Sequence, residues 1–158
     1  METTWTFQEL ISPQLTVGNL PLCGDQHYNL GMTGQATTKK CDPDRIRLEV
    51  TLDGGINDFV HCWGKHPLKA AFSYTMICDL KWVGNETKIS CGAGSKDNTI
   101  FDIHSGKDII IDHVYWDPSK QSVKLSGVDM FEAARAQAKD QAQYLTGMTK
   151  GEFQFSAT

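Results

Sequence analysis

Apolar and polar positions trade places with a period of two along residues 72–82. Phe72, Tyr74, Met76, Cys78, Leu80 and Trp82 alternate with Ser73, Thr75, Ile77, Asp79 and Lys81. That pattern predicts a strand with one apolar face. Gly84-Asn85 follows, and a two-residue connection with glycine first suits a type II′ hairpin turn. The turn sets Val83 opposite Glu86, Leu80 opposite Ile89 and Cys78 opposite Cys91. The cysteine rung falls at a non-hydrogen-bonded pair, where Cα atoms stand roughly 4.5 Å apart, within reach of a disulfide. Asn85-Glu86-Thr87 is a glycosylation sequon on the hairpin tip.

A second hairpin is expected upstream. Ile46, Leu48, Val50 and Leu52 alternate with Arg45, Arg47, Glu49 and Thr51, and Asp53-Gly54-Gly55-Ile56 supplies turn residues. With Leu52 opposite Asn57, the returning strand carries Phe59, His61 and Trp63 on the same face as Val50, Leu48 and Ile46. Residues 64–67 then read as a loop. Further on, residues 99–104 are expected to form a short strand, and residues 108–116 the longest β-rich run, apolar on both sides and so expected to be covered on both. Asp117-Pro118-Ser119-Lys120 turns that run into residues 121–126. Pairing Trp116 with Gln121 sets Val114 against Val123 and Asp112 against Leu125. Nearer the N-terminus, Trp5, Phe7, Leu15 and Val17 fit short strands between prolines and glycines, and residues 150–157 a last edge strand.

One segment carries helical period. Phe131, Ala134, Ala138, Ala142 and Leu145 recur at three- and four-residue steps. Asp129 with Glu132 makes a capping box and Gly147 a C′ stop. The expected fold is a mainly β single domain over residues 1–158: an antiparallel β-sandwich or closed β-barrel, with one C-terminal α-helix at about 129–146. Many antiparallel strands, then a helix, then a short strand resemble lipocalin-like barrels in broad organisation only. No G-x-W stands near Trp5, and no family motif covers the chain.

Composition narrows function mainly by exclusion. The chain has 158 residues, 40% hydrophobic and 22% charged, with a net charge of −4. Without a basic run, nucleic acid has no electrostatic footprint to meet. No run approaches the ~20 apolar residues of a membrane span. Residues 1–10 lack the apolar core of a signal peptide. The hairpin cysteines nonetheless favour a secreted or secretory-pathway protein whose signal peptide has been removed. Five cysteines (23, 41, 62, 78 and 91) contain no C-x-x-C. Besides Cys78–Cys91, the second expected bridge is Cys23–Cys41, closing a Gly- and Thr-rich segment, which leaves Cys62 free.

Dinucleotide, P-loop, G-x-S-x-G and H-E-x-x-H motifs are absent, so any catalysis is expected to need no cofactor. Candidate acid–base groups are those that alternation points inward. His61 lies between Phe59 and Trp63. Asp112-His113 sits mid-strand, and a carboxylate among aliphatics has its pKa raised. Asp102 and His104 share a face but lack a third ligand, so no metal is assigned. Phe59, Trp63, Tyr74, Trp82, Tyr115 and Trp116 are the aromatic resource for lining a pocket.

The reading that follows is a small β protein with an aromatic-lined pocket for a hydrophobic or aromatic small molecule. As an enzyme it would be a cofactor-independent cyclase, dehydratase or isomerase of a biosynthetic pathway, cycloaddition-type cyclisation included. There His61, Asp112 or His113 would move a proton. The alternative is a secreted non-catalytic module: carbohydrate-binding, effector-like or inhibitory. Assembly as a homodimer stays open.

Overall fold

A computed structural model describes residues 4–42, 45–83, 86–91, 110–117 and 120–157. In chain order the strands are β1 (Trp5–Ile11), β2 (Gln14–Val17), β3 (Gln26–Asn29), β4 (Gly31–Asp42), β5 (Arg45–His61), β6 (Lys65–Val83), β7 (Glu86–Cys91), β8 (Ile110–Asp117) and β9 (Ser122–Asp129). Helix α1 (Phe131–Ala138), a 3-10 segment (Lys139–Tyr144), β10 (Leu145–Met148) and β11 (Gly151–Ala157) complete the chain. Two antiparallel sheets of four strands run β1-β11-β9-β8 and β4-β5-β6-β7, and a third, of three strands, runs β10-β2-β3. None closes on itself among the described residues. Of the two expected architectures, the organisation is the sandwich-like one and not the closed barrel.

Alternation explains why the sheets face each other. In β11 the side chains of Phe153 and Phe155 are buried while Glu152 and Gln154 are half-buried. In β5 Leu48, Val50 and Leu52 are wholly buried. The Phe7 ring lies 5.9 Å from Phe153 and 5.4 Å from Phe155, centroid to centroid. Gly34 in β4 lets the opposite sheet come close, because a Cβ there would stand 2.8 Å from the Phe155 ring. Trp5 Nε1–H donates to Thr38 Oγ1 at 3.2 Å and links the two sheets at their β1/β4 margin.

The hairpin at residues 84–85 keeps its expected register, with Val83 opposite Glu86, Leu80 opposite Ile89 and Cys78 opposite Cys91. The side chains of Cys78 and Cys91, and all of Asn85, lie outside the described residues. The upstream hairpin is different. Asp53-Gly54-Gly55-Ile56 does not turn; it continues β5, with Gly55 pairing with Gly31 on one side and Ala71 on the other. The turn comes at residues 62–64, where Trp63 and Gly64 adopt positive φ (55° and 127°). Expected loop residues Lys65, His66 and Pro67 therefore belong to β6.

The two glycines serve close approach within the sheet rather than a turn. A Cβ on Gly55 would collide with the Ala70 carbonyl oxygen in β6, which is backbone and cannot swing aside. Gly55→Ala should therefore lower stability by about 1–3 kcal/mol, in the range of overpacking changes. Urea denaturation checks this, and an unchanged midpoint would contradict the packing at this rung.

At the other end, Trp116 pairs with Val123 and Val114 with Leu125, two residues from the expected register. Gly127 (φ 66°) sits beside Asp112. There alternation breaks on both strands, so Ile111 and Val114 are both buried and Asp112 and His113 both face out. The C-terminal helix is shorter than its pattern predicts. Its N-cap is Met130, without a side-chain cap, and Asp129 Oδ1 accepts from Phe131 N–H at 3.1 Å rather than from Glu132, so the expected Asp129–Glu132 capping box is not the one found. Helical φ ends at Lys139 (φ 55°), and Leu145 and Gly147 join β10 opposite Val17 and Thr16. Strand pairing with β2 overrides the helical tail.

Cys23 pairs with Cys62, with Cα atoms 5.9 Å apart, and not with Cys41 as expected. Gln26 holds His61 through two hydrogen bonds, which seats the start of β3 beside the end of β5. Cys41 lies opposite Ile46, ten residues beyond the Gly31 end of β4, a distance of about 33 Å at strand rise. Cys62 is therefore not the free thiol.

Candidate functional site

Where β2, β5, β6, α1 and β10 meet, they leave a cavity of about 630 Å³. Its floor is aliphatic, formed by the buried side chains of Leu15, Val17, Val60 and Leu145. Leu68 and Ala70 of β6 form one wall. Ala134 and Ala138 of α1 form the other, with Tyr144 beyond them. The alanines matter because a small side chain lets the helix stand near the sheet without filling the gap. The exposed rim consists of His66, Pro67, Lys69, Gln137 and Gln141. Among the described residues no Asp or Glu lines the cavity, although the chain as a whole is acidic.

Two glutamines hold the β5–β6 hairpin at its edges. Ala71 N–H donates to Gln137 Oε1 at 3.0 Å, and Gln137 Nε2–H donates to the Ala71 carbonyl at 2.5 Å. This clamps α1 onto β6. His61 N–H donates to Gln26 Oε1 at 2.9 Å, and Gln26 Nε2–H donates to the His61 carbonyl at 2.9 Å. Between them the Tyr28 hydroxyl donates to the Phe59 carbonyl at 2.9 Å. Burial, helped by the Asp58 carboxylate, pushes the Tyr28 phenol up, so it remains a donor. His66 Nε2 lies 2.8 Å from the Cys62 carbonyl oxygen. Cys62 reaches the cavity as half of a disulfide, so it offers no thiolate there.

The residues expected to carry chemistry lie elsewhere. His61 is exposed, because an unbroken strand keeps its parity: Leu52, Ile56 and Val60 face inward and Phe59 and His61 outward. The turn expected at residues 53–56 would have reversed that parity. Asp112 is also outward, paired with Lys150 Nζ at 2.9 Å on the surface, and the aliphatic surroundings expected for it are not there. His113 is exposed next to Tyr115, with ring centroids 5.6 Å apart. His61 belongs to β5, and Asp112 and His113 to β8 of another sheet. They form no constellation.

Of the expected aromatics, Phe59, Trp63 and Tyr115 do not line the cavity either. Phe59 is half-exposed with the Lys65 ammonium 5.5 Å above its ring, and Tyr115 is half-exposed under Lys124 at 4.9 Å. Trp63 is 81% exposed, and its Nε1–H donates to the Pro21 carbonyl at 3.3 Å. The side chains of Tyr74, Trp82 and Trp116, and all of Asp102 and His104, lie outside the described residues.

Sequence reasoning missed the cavity residues that matter most, Gln137, His66 and Lys69. The alanine stripe on α1 was the available signal, since it marks a helix face made for close approach. Among the described residues no helix is long and apolar enough to cross a membrane. No family model, curated protein or solved structure matches this chain.

Proposed function

We propose that this protein binds a hydrophobic small molecule in the cavity between α1 and the β5–β6 hairpin. One observation carries the reading: about 630 Å³ of space with an aliphatic floor, a polar rim on one side and, among the described residues, no acidic lining. Sites for small ligands have this make-up and fall in this size range. The occupant is aliphatic or alicyclic rather than stacked between rings, because leucine, valine and alanine make the walls. The Cys23–Cys62 bridge supports a secreted or secretory-pathway setting, where such bonds persist.

A cofactor-free cyclase, dehydratase or isomerase is the catalytic form of the same reading. Its acid or base would then be His66 at the rim, in place of His61, Asp112 or His113. A second reading, a non-catalytic module that binds through its loops, draws on a different observation. Leu22 and Trp63 are 92% and 81% exposed on two segments joined by the disulfide. Apolar side chains held out on a stapled tip suit contact with another surface.

Filling the cavity separates the two. Ala134→Phe places a ring in the space beside Leu145 and Val17. It should weaken binding of the neutral dye Nile red at least tenfold in a fluorescence titration, with circular dichroism unchanged. Equal dye binding by the variant and the natural chain would remove the cavity reading and leave the loop module.

A further inference from the structure

We infer that the cavity's ligand carries a secondary amide, and that this amide docks on the main chain of Lys69 as a glutamine amide does on the main chains of Ala71 and His61. The inference rests on the cavity reading and gives its ligand a chemical class.

Residues on an antiparallel strand alternate between rungs that exchange both main-chain bonds with the partner and rungs that exchange neither. Ala71, opposite Gly55, gives both its N–H and its C=O to Gln137. It therefore stands on a rung whose polar groups point away from β5. His61, opposite Lys65, gives both its groups to Gln26, so it stands on the same kind of rung. Stepping by two places Lys69, opposite Asn57, and Pro67, opposite Phe59, in that class as well. Pro67 fits there without loss to the ladder, since the N–H it lacks would have pointed out of the edge.

Lys69 is thus left with a donor and an acceptor aimed out of the β6 edge. Lys69 and Pro67 both line the cavity. Among the described residues neither the Lys69 N–H nor its C=O has a partner beyond the strand. Two residues further, at Ala71, the fold satisfies this same pair of groups with a planar primary amide. The complementary ligand presents an amide C=O to the Lys69 N–H and an amide N–H to the Lys69 C=O. Its hydrocarbon arms lie against Val60, Leu68 and Ala134. A free carboxylate or an ester matches only the donor half.

Three probes of matched shape test this by displacing Nile red from the natural chain: N-butylhexanamide, its N-methyl derivative and butyl hexanoate. The secondary amide should bind about tenfold tighter than the other two, the ratio expected for one net hydrogen bond. In Lys69→Pro, which removes the outward N–H and spares the ladder, the preference should collapse toward unity. If that variant does not fold, the probe series on the natural chain decides alone. Equal displacement by all three would overturn the amide assignment while the cavity reading stands. Failure of Nile red to bind at all would overturn both.

Discussion

Replacing Cys23 and Cys62 together by alanine should lower the unfolding free energy by about 4 kcal/mol. The bridge closes a loop with a sequence separation of 39, and the chain-entropy relation gives that magnitude for such a loop. The bond joins the segment before β3 to the β5–β6 turn, where main-chain support is slight. Beyond it, that end of the molecule relies on the Gln26 clamp on His61, the Tyr28 hydroxyl bond to the Phe59 carbonyl and one bond from Trp63 Nε1–H to the Pro21 carbonyl. Urea denaturation of the double variant measures the loss. A peptide map without reductant should recover the Cys23 and Cys62 peptides joined. A stability change below about 1 kcal/mol, or Cys23 joined to Cys41, would contradict the arrangement. Because Cys62 and Leu20 border the cavity, the same variant should also widen its mouth, read as faster Nile red exchange.

Phe155→Ala should cost about 3–5 kcal/mol, the range for deleting a buried aromatic ring. Phe155 is wholly buried on β11, between β1 and β9, with its ring against Phe7 and over the bare backbone of Gly34. Two features hold the cost high. Gly34 has no side chain to move into the void, and β11 sits mid-sheet, so neither neighbouring strand can close over the gap. Thermal and urea unfolding both report the change. A loss under 1 kcal/mol would mean the two four-stranded sheets do not pack face to face at this point.

What was legible in the chain follows from local physics. A period of two over residues 72–82, with a two-residue turn after it, determines both the strand and its register, because turn length leaves one pairing. Cys78 opposite Cys91 was readable for that reason. The same holds for the mainly β class, for a C-terminal helix beginning next to Asp129, and for alternation in β2 and β11. Asp53-Gly54-Gly55-Ile56 was misleading because glycine has two uses that look alike in sequence. It turns a chain, or it lets three strands press together, and only β4 and β6 on either side of Gly55 decide between them. One such choice reversed the faces of His61 and Phe59, since parity carries through an unbroken strand. At Gly127 the reverse holds: alternation breaks there, and Asp112 faces outward beside His113. Partners distant in sequence were out of reach altogether. Cys23 meets Cys62, and Gln137 meets Ala71, because sheets fold over one another, and no local pattern records which ends become neighbours. The residues by themselves determined strands, one helix and the register of one hairpin. Tertiary packing decided where the strands bend, which cysteines meet, and that the open space lies under a small-faced helix beside the outer edge of β6.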